Sequence, residues 1–174
     1  KRESGCQIMK ADRTGSTYGE PIAVEIKTID SLDVVGHPTL SSDELKLIFA
    51  SERRNGIGGK DLWISERESK SEEFGRPRNL SAIVNTEGDE LYPFMRNDST
   101  LYFASDGHGG MGGLDIFVTT LDSLGEWTTP VNLKSPINSI GNDYGITFHP
   151  NEERGFFVSN RESKNNGLDD DIYY

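Results

Sequence analysis

A motif recurs every 54 residues along this chain. That period restricts the fold to architectures that stack copies of one small unit. The middle copy reads Leu101-Tyr102-Phe103-Ala104-Ser105, then a Gly-rich loop and Asp115-Ile116-Phe117, and further on Trp127 and Pro130-Val131-Asn132-Leu133. Upstream stand Leu47-Ile48-Phe49-Ala50-Ser51, Asp61-Leu62-Trp63, Phe74 and Pro77-Arg78-Asn79-Leu80, offset by 54 at the central phenylalanine (103 − 49). Downstream stand Gly155-Phe156-Phe157-Val158-Ser159 and Asp171-Ile172-Tyr173, offset by 54 again (157 − 103).

Each copy contains short runs rich in β-branched and aromatic residues, bounded by Gly, Asn, Asp and Ser, the signature of strands. No stretch sustains the spacing of a long amphipathic helix. Ser42-Asp43-Glu44-Leu45 has the letters of a capping box, but its counterparts lie between strands, so a turn is expected there. Four antiparallel strands in a repeat of about 40–55 residues describe a β-propeller blade, so the expected fold is all-β. Residues 1–35 read as the back half of a blade, 36–90 and 91–144 as full blades, and 145–174 as the front half of another. In the first segment Gln7-Ile8-Met9 is aligned with Ile116-Phe117-Val118, and Tyr18 with Trp127. Arg2-Glu3-Ser4 is aligned with Arg161-Glu162-Ser163, the loop before the same strand. About three repeats (174/54) fall short of the roughly four blades a ring needs, so a fragment of a larger ring is expected. Two copies closing a six-bladed ring is the alternative.

Composition narrows the partners. The net charge of −11 supplies no basic stripe for nucleic acid and disfavours an anionic membrane surface. No apolar run is long enough to span a bilayer, so no membrane insertion by this segment is expected. Only 33% of residues are apolar and mean hydropathy is −0.59, as suits short strands joined by polar loops. A single cysteine, Cys6, excludes an internal disulfide and leaves the compartment open.

The repeats serve as an internal control on function. A residue type present in every copy belongs first to the blade. Asp61, Asp115 and Asp171 open the third strand of successive copies, so each is expected to accept N–H bonds from its own loop rather than to form an acid–base pair. Asn79 and Asn132 are expected to close turns, and Tyr18, Phe74 and Trp127 to pack before the fourth strand. Ser105, His108 and Asp115 have the letters of a triad, but the serine and aspartate recur in the other copies and no nucleophile elbow surrounds Ser105. The loop from Asp106 to Asp115 could cradle an anion, bind Ca²⁺, or use its glycines for a tight connection with positive φ; the matching glycines at 56–59 favour the last. His37, His108 and His149 have no zinc spacing, and neither metal nor cofactor is expected. Copy-specific residues in the second-to-third-strand loops are the binding candidates: Arg53, Arg54, His108, Met111 and Arg161.

These motifs, with Pro-x-x-Ser-x-Asp and Val-Asn-Thr-x-x-Asp-Glu, resemble the PD40 repeats, the WD40-like propeller repeats also found in TolB. They are most similar to those of OmpA-family envelope proteins of Bacteroidota, which join tetratricopeptide repeats, a PD40 propeller and an OmpA-like peptidoglycan-binding domain. The resemblance spans nearly the whole chain and is loosest over residues 1–35. It implies a non-catalytic scaffold for envelope protein partners in the periplasm, associated with the outer membrane, and a place in type IX secretion machinery. Peptidoglycan contact would fall to a domain outside this chain. A propeller glycan hydrolase or lyase with axial carboxylates, and a Ca²⁺-dependent adhesion module, are the competing classes.

Overall fold

A computed structural model describes residues 6–29, 33–162 and 169–174. Arg2-Glu3-Ser4 and Ser163 lie outside the described residues. Among the described residues the chain is all-β, with one four-residue helical turn. First come β1 (Met9–Lys10) and β4 (Ile22–Ala23), which pair, and between them a hairpin of β2 (Arg13–Thr14) and β3 (Thr17–Tyr18). Then follow β5 (Val35–Leu40), β6 (Lys46–Ser51), β7 (Asp61–Glu66) and β8 (Arg78–Asn79), which form one antiparallel sheet in that order. After the helical turn α1 (Ser81–Val84), β9 (Glu90–Asn97), β10 (Thr100–Ser105), β11 (Asp115–Thr120) and β12 (Val131–Asn132) repeat the same meander. A three-stranded sheet of β13 (Asp143–Phe148), β14 (Gly155–Ser159) and β15 (Asp171–Tyr173) follows. These are propeller blades. Residues 42–45 form the turn between β5 and β6, where the Asp43 carboxylate accepts the Ser41 hydroxyl and the Leu45 N–H.

Register repeats as strictly as topology. Phe49 pairs with Trp63, Phe103 with Phe117 and Phe157 with Tyr173. Strand side chains alternate between faces, so each blade has one face toward the blade before it and one toward the blade after. Ile48, Ala50, Leu62 and Ile64 on the outgoing face of β6–β7 pack against Met95, Leu101, Phe103 and Phe117 on the incoming face of the next blade. Ile116 and Tyr102 meet Ile146, Phe157 and Tyr173 in the same way. Burying one such side chain stabilises by roughly 1.5–3 kcal/mol, so these interfaces hold the blades together.

The expected alignment of residues 7–9 is off by one. Met9 pairs with Ala23 as Phe117 pairs with Asn132, and Val24 N–H donates to Ile8 C=O (2.9 Å) as Leu133 N–H donates to Ile116 C=O (3.1 Å). Ile8 therefore matches Ile116, not Phe117, and it packs with Val35, Leu47, Phe49 and Trp63. No aspartate opens this strand, so the local pattern carried no anchor, and a one-residue slip exchanges the two faces.

The last outgoing face lies open. Ile172 is 76% exposed, whereas Leu62 and Ile116 at its place in the earlier blades are 0% exposed; Phe156 and Tyr174 beside it are exposed too. The aromatics before the fourth strand show the same effect at the other side. Phe74 is buried and Trp127 packs on the core shared with the preceding blade, whereas Tyr18, with no described blade before it, is 69% exposed. No helix among the described residues is long and apolar enough to cross a membrane.

Candidate functional site

The second-to-third-strand loops and the fourth-to-first-strand connections meet at one end of the blades, and most of the repeated polar residues lie there. Asp61 is fully buried; its carboxylate accepts the N–H groups of Ile57 (2.6 Å) and Gly58 (3.4 Å) and the Asn79 amide (3.1 Å). Asp115 is buried likewise and accepts Met111 N–H (2.9 Å) and Gly112 N–H (3.0 Å). Asp171 is exposed, beside a segment outside the described residues. The glycines of these loops do not have positive φ, contrary to the tight-connection expectation. They are needed for close approach: a Cβ on Gly56 or Gly110 would lie 2.2 or 2.0 Å from the aspartate it wraps, and one on Gly58 or Gly112 would strike the next connection's backbone (Thr86 O at 2.2 Å, Gly141 O at 2.0 Å).

Two buried asparagines, to which the motif reading gave no role although Asn85 stands in Val-Asn-Thr-x-x-Asp-Glu, fasten the connections. Asn85 Oδ1 accepts Leu62 N–H and its amide donates to Leu62 C=O; Asn138 does the same to Ile116. The side-chain amide mimics a strand: it satisfies the third-strand N–H, which would otherwise be orphaned, and adds a second donor to a C=O that already accepts the N–H of Leu80 or Leu133. Each also donates to the Oδ1 of the fourth-strand asparagine, Asn79 or Asn132, at 2.9 and 2.8 Å. Their recurrence 53 residues apart (138 − 85) was the available signal.

The candidate binding residues divide. Arg161 lies over Phe157 and Tyr173, pairs with buried Asp143 (2.7 Å), and donates to the carbonyls of Pro136 and Ile137. His108 occupies the same place one blade earlier, against Phe117, with Nε2 2.8 Å from Val84 C=O; that bond requires the Nε2–H form. Arg53 lies over Trp63, 3.6 Å from Asp33, and donates to Thr28 C=O. All three bolt one blade to the connection before it. Arg54 and Met111 remain exposed. The serine of the suspected triad, Ser105, donates to buried Glu90 (2.7 Å) and accepts Gly107 and His108 N–H, so it too is structural.

The first strands β5, β9 and β13 run side by side along the inner edge. A row of rings crosses them: His37 stacks on Tyr92 (4.0 Å, 14°) and Tyr92 on Tyr144 (4.7 Å, 27°), all half-buried. His37 and Tyr92 hold φ of +50° at matching irregularities of register, where the third blade has Gly145 at +64°. Such a backbone costs a bulky residue on the order of 1–3 kcal/mol, and glycine would avoid the cost, so the rings are retained for their side chains. Burial, then the charge of Lys60, keeps the His37 pKa below its ordinary value. Burial, then a hydrogen bond with Asp170, pushes Tyr144 up to about 12. This row is the candidate site at the inner edge, and Arg54 and Met111 are exposed candidates on the loops. A separate groove of about 770 Å³ between the β1–β4 pair and β5, toward the other end, collects none of them.

No family model matches this chain, and no curated protein matches it. Among the described residues no group of three or more His, Cys, Asp or Glu could hold a metal ion.

Proposed function

We propose that this chain is a non-catalytic scaffold, part of a larger propeller ring, whose loop end and inner edge engage a protein partner. The observation that carries this reading is the fate of its repeated carboxylates. Asp61 and Asp115 are buried and tied to their own loops, as a structural role predicts and as an axial pair of catalytic carboxylates would not be. The inner edge offers half-exposed aromatic rings instead, the residue class that anchors protein interfaces. The open outgoing face at Phe156, Ile172 and Tyr174 fits a further blade. The resemblance to PD40 repeats supports the rest of the proposal: placement in the periplasm against the outer membrane, a role in type IX secretion machinery, and peptidoglycan attachment through a separate OmpA-like domain. The test is crosslinked capture from envelope extracts of a Bacteroidota species, comparing wild type with Arg54→Glu and Met111→Asp. One specific envelope protein, depleted in the variants, is expected. Equal recovery of the same background proteins by all three would overturn the reading.

A further inference from the structure

The loop between β6 and β7 closes on the buried carboxylate of Asp61, and that closure leaves no room for a side chain at residue 56. A Cβ on Gly56 would lie 2.2 Å from Asp61 Oδ2 and 3.3 Å from Arg53 C=O. The next two residues donate their N–H groups to the same carboxylate, Ile57 at 2.6 Å and Gly58 at 3.4 Å. Glycine at 56 is therefore dictated by the blade, and its counterpart Gly110 meets Asp115 in the same way. The residue before it is not dictated: the position holds Asn55 in this blade and Gly109 in the next. Asn55 is exposed, with φ of +70°, a backbone region that asparagine enters at lower cost than most side chains. Its carboxamide therefore stands one residue before a peptide nitrogen that no side chain shields. The other dipeptides of this kind differ. Asp106 precedes Gly107, but its Oδ1 accepts Asp89 N–H at 2.7 Å and Gly107 is packed on Thr86, where a Cβ would lie 1.8 Å from Oγ1. Asn166–Gly167 lies outside the described residues.

We propose that Asn55 is a site of spontaneous deamidation, and that the isoaspartyl product loosens the loop clamped on Asp61. Solvent base takes the proton of Gly56 N–H, which leaves its long hydrogen bond to Arg53 C=O (3.2 Å), and the nitrogen attacks Asn55 Cγ. The bond from Cγ to the amide nitrogen breaks, that nitrogen takes a proton from water, and ammonia leaves a five-membered succinimide. Water then adds to one of the two ring carbonyls and breaks its bond to the ring nitrogen. One opening gives aspartate; the other gives isoaspartate, in which the chain runs through the former side chain. The balance is one water consumed and one ammonia released, with no oxidant or reductant. Both products add a negative charge beside Arg54 on an exposed loop. Isoaspartate also adds a methylene to the main chain next to Gly56, in a loop whose following residues reach Asp61 only because the chain is this short. The N–H bonds of Ile57 and Gly58 to the buried carboxylate are the contacts it breaks. The reaction needs no partner, so it is independent of the proposed scaffold role.

The test incubates the folded protein in mildly alkaline buffer and follows each asparagine by peptide mapping, with isoaspartate-specific methyl transfer to count the isoaspartyl form. Aspartyl and isoaspartyl products are expected at residue 55 well before any product at Asn151, which is exposed too but precedes Glu152. The purified isoaspartyl form should melt about 4 °C or more below fresh protein, since hydrogen bonds to a buried carboxylate are lost. Asn55→Asp adds the charge without the extra methylene and should melt within about 2 °C of wild type. Asn55→Gly places at 55 the residue found at the matching position 109; it should fold as wild type does and stop both the product at 55 and the loss that comes with it. Product at residue 55 no faster than at Asn151, product formed only in protein held in urea, or an isoaspartyl form that melts with the wild type would each overturn the proposal.

Discussion

Replacing Asn138 by alanine removes three hydrogen bonds, each 2.8 Å long, from a side chain that is 1% exposed. Two of them serve the backbone N–H and C=O of Ile116, a residue with no exposed surface. Water cannot reach those groups without opening the interface at Ile116. Ile116 C=O keeps the Leu133 N–H (3.1 Å) and Asn132 Oδ1 keeps the Lys134 N–H (2.7 Å), so one buried group, Ile116 N–H, is left unpaired at about 1–3 kcal/mol, and with the small cavity the cost is about 2–4 kcal/mol. That is a large share of the roughly 5–15 kcal/mol that holds a domain folded. In urea denaturation, with a slope of about 2 kcal/mol per molar, the midpoint should fall by about 1–2 M. Asn138→Asp separates the hydrogen bonds from the loss of volume. It keeps an acceptor for Ile116 N–H but loses the donors to Ile116 C=O and Asn132 Oδ1, so it should destabilise at neutral pH and recover in part as acid protonates the carboxyl. Asn151→Ala, on an exposed turn, is the control and should change stability by less than about 0.5 kcal/mol. An Asn138→Ala variant within about 1 kcal/mol of wild type would refute the view that these amides fasten the connections.

The glycine loops supply a second test: Gly112→Ala would push a Cβ to 2.0 Å from Gly141 O and should cost more than about 2 kcal/mol, whereas Gly109→Ala meets nothing within 4 Å and should cost less than about 0.5 kcal/mol, both read by denaturant midpoint. The inner-edge row supplies a pH test. Tyr144 is raised from 10.0 to about 12 in the folded chain, so the unfolded state loses its proton first, and the stability from this group is full below pH 10 and lost between pH 10 and about 12. His37 is lowered from 6.5, so its contribution is full above that value and lost as pH falls below it. Melting curves should show both declines, reduced in Tyr144→Phe at the alkaline end and in His37→Gln at the acid end; unchanged slopes in the variants would exclude these groups as the cause.

Repetition made the blades legible. A strand has a period of two, and Phe49, Phe103 and Phe157 at one spacing imply one strand in one register. Asp61 and Asp115 were legible for the same reason, since a carboxylate and its own loop are neighbours in the chain. Where the repeat loosened, at residues 7–9, the register reading slipped by one. The glycines were recognised as structural but for the wrong cause: the atoms that exclude a Cβ at Gly58 and Gly112 belong to connections about 28 residues away (86 − 58), beyond any local pattern.

Sequence alone decided that this chain makes four-stranded blades, because local alternation and a strict period suffice to choose strands and their order. Tertiary structure decided which polar residues are free. Arg53, His108 and Arg161 look alike in sequence to any loop residue open to a partner, yet their side chains reach back to carbonyls 24 or 25 residues earlier and lie half-buried in the joint between blades. His37, Tyr92 and Tyr144 stand more than 50 residues apart and form one stacked row only because the blades place their first strands side by side. Contacts set by packing between repeats leave no trace in the spacing within one.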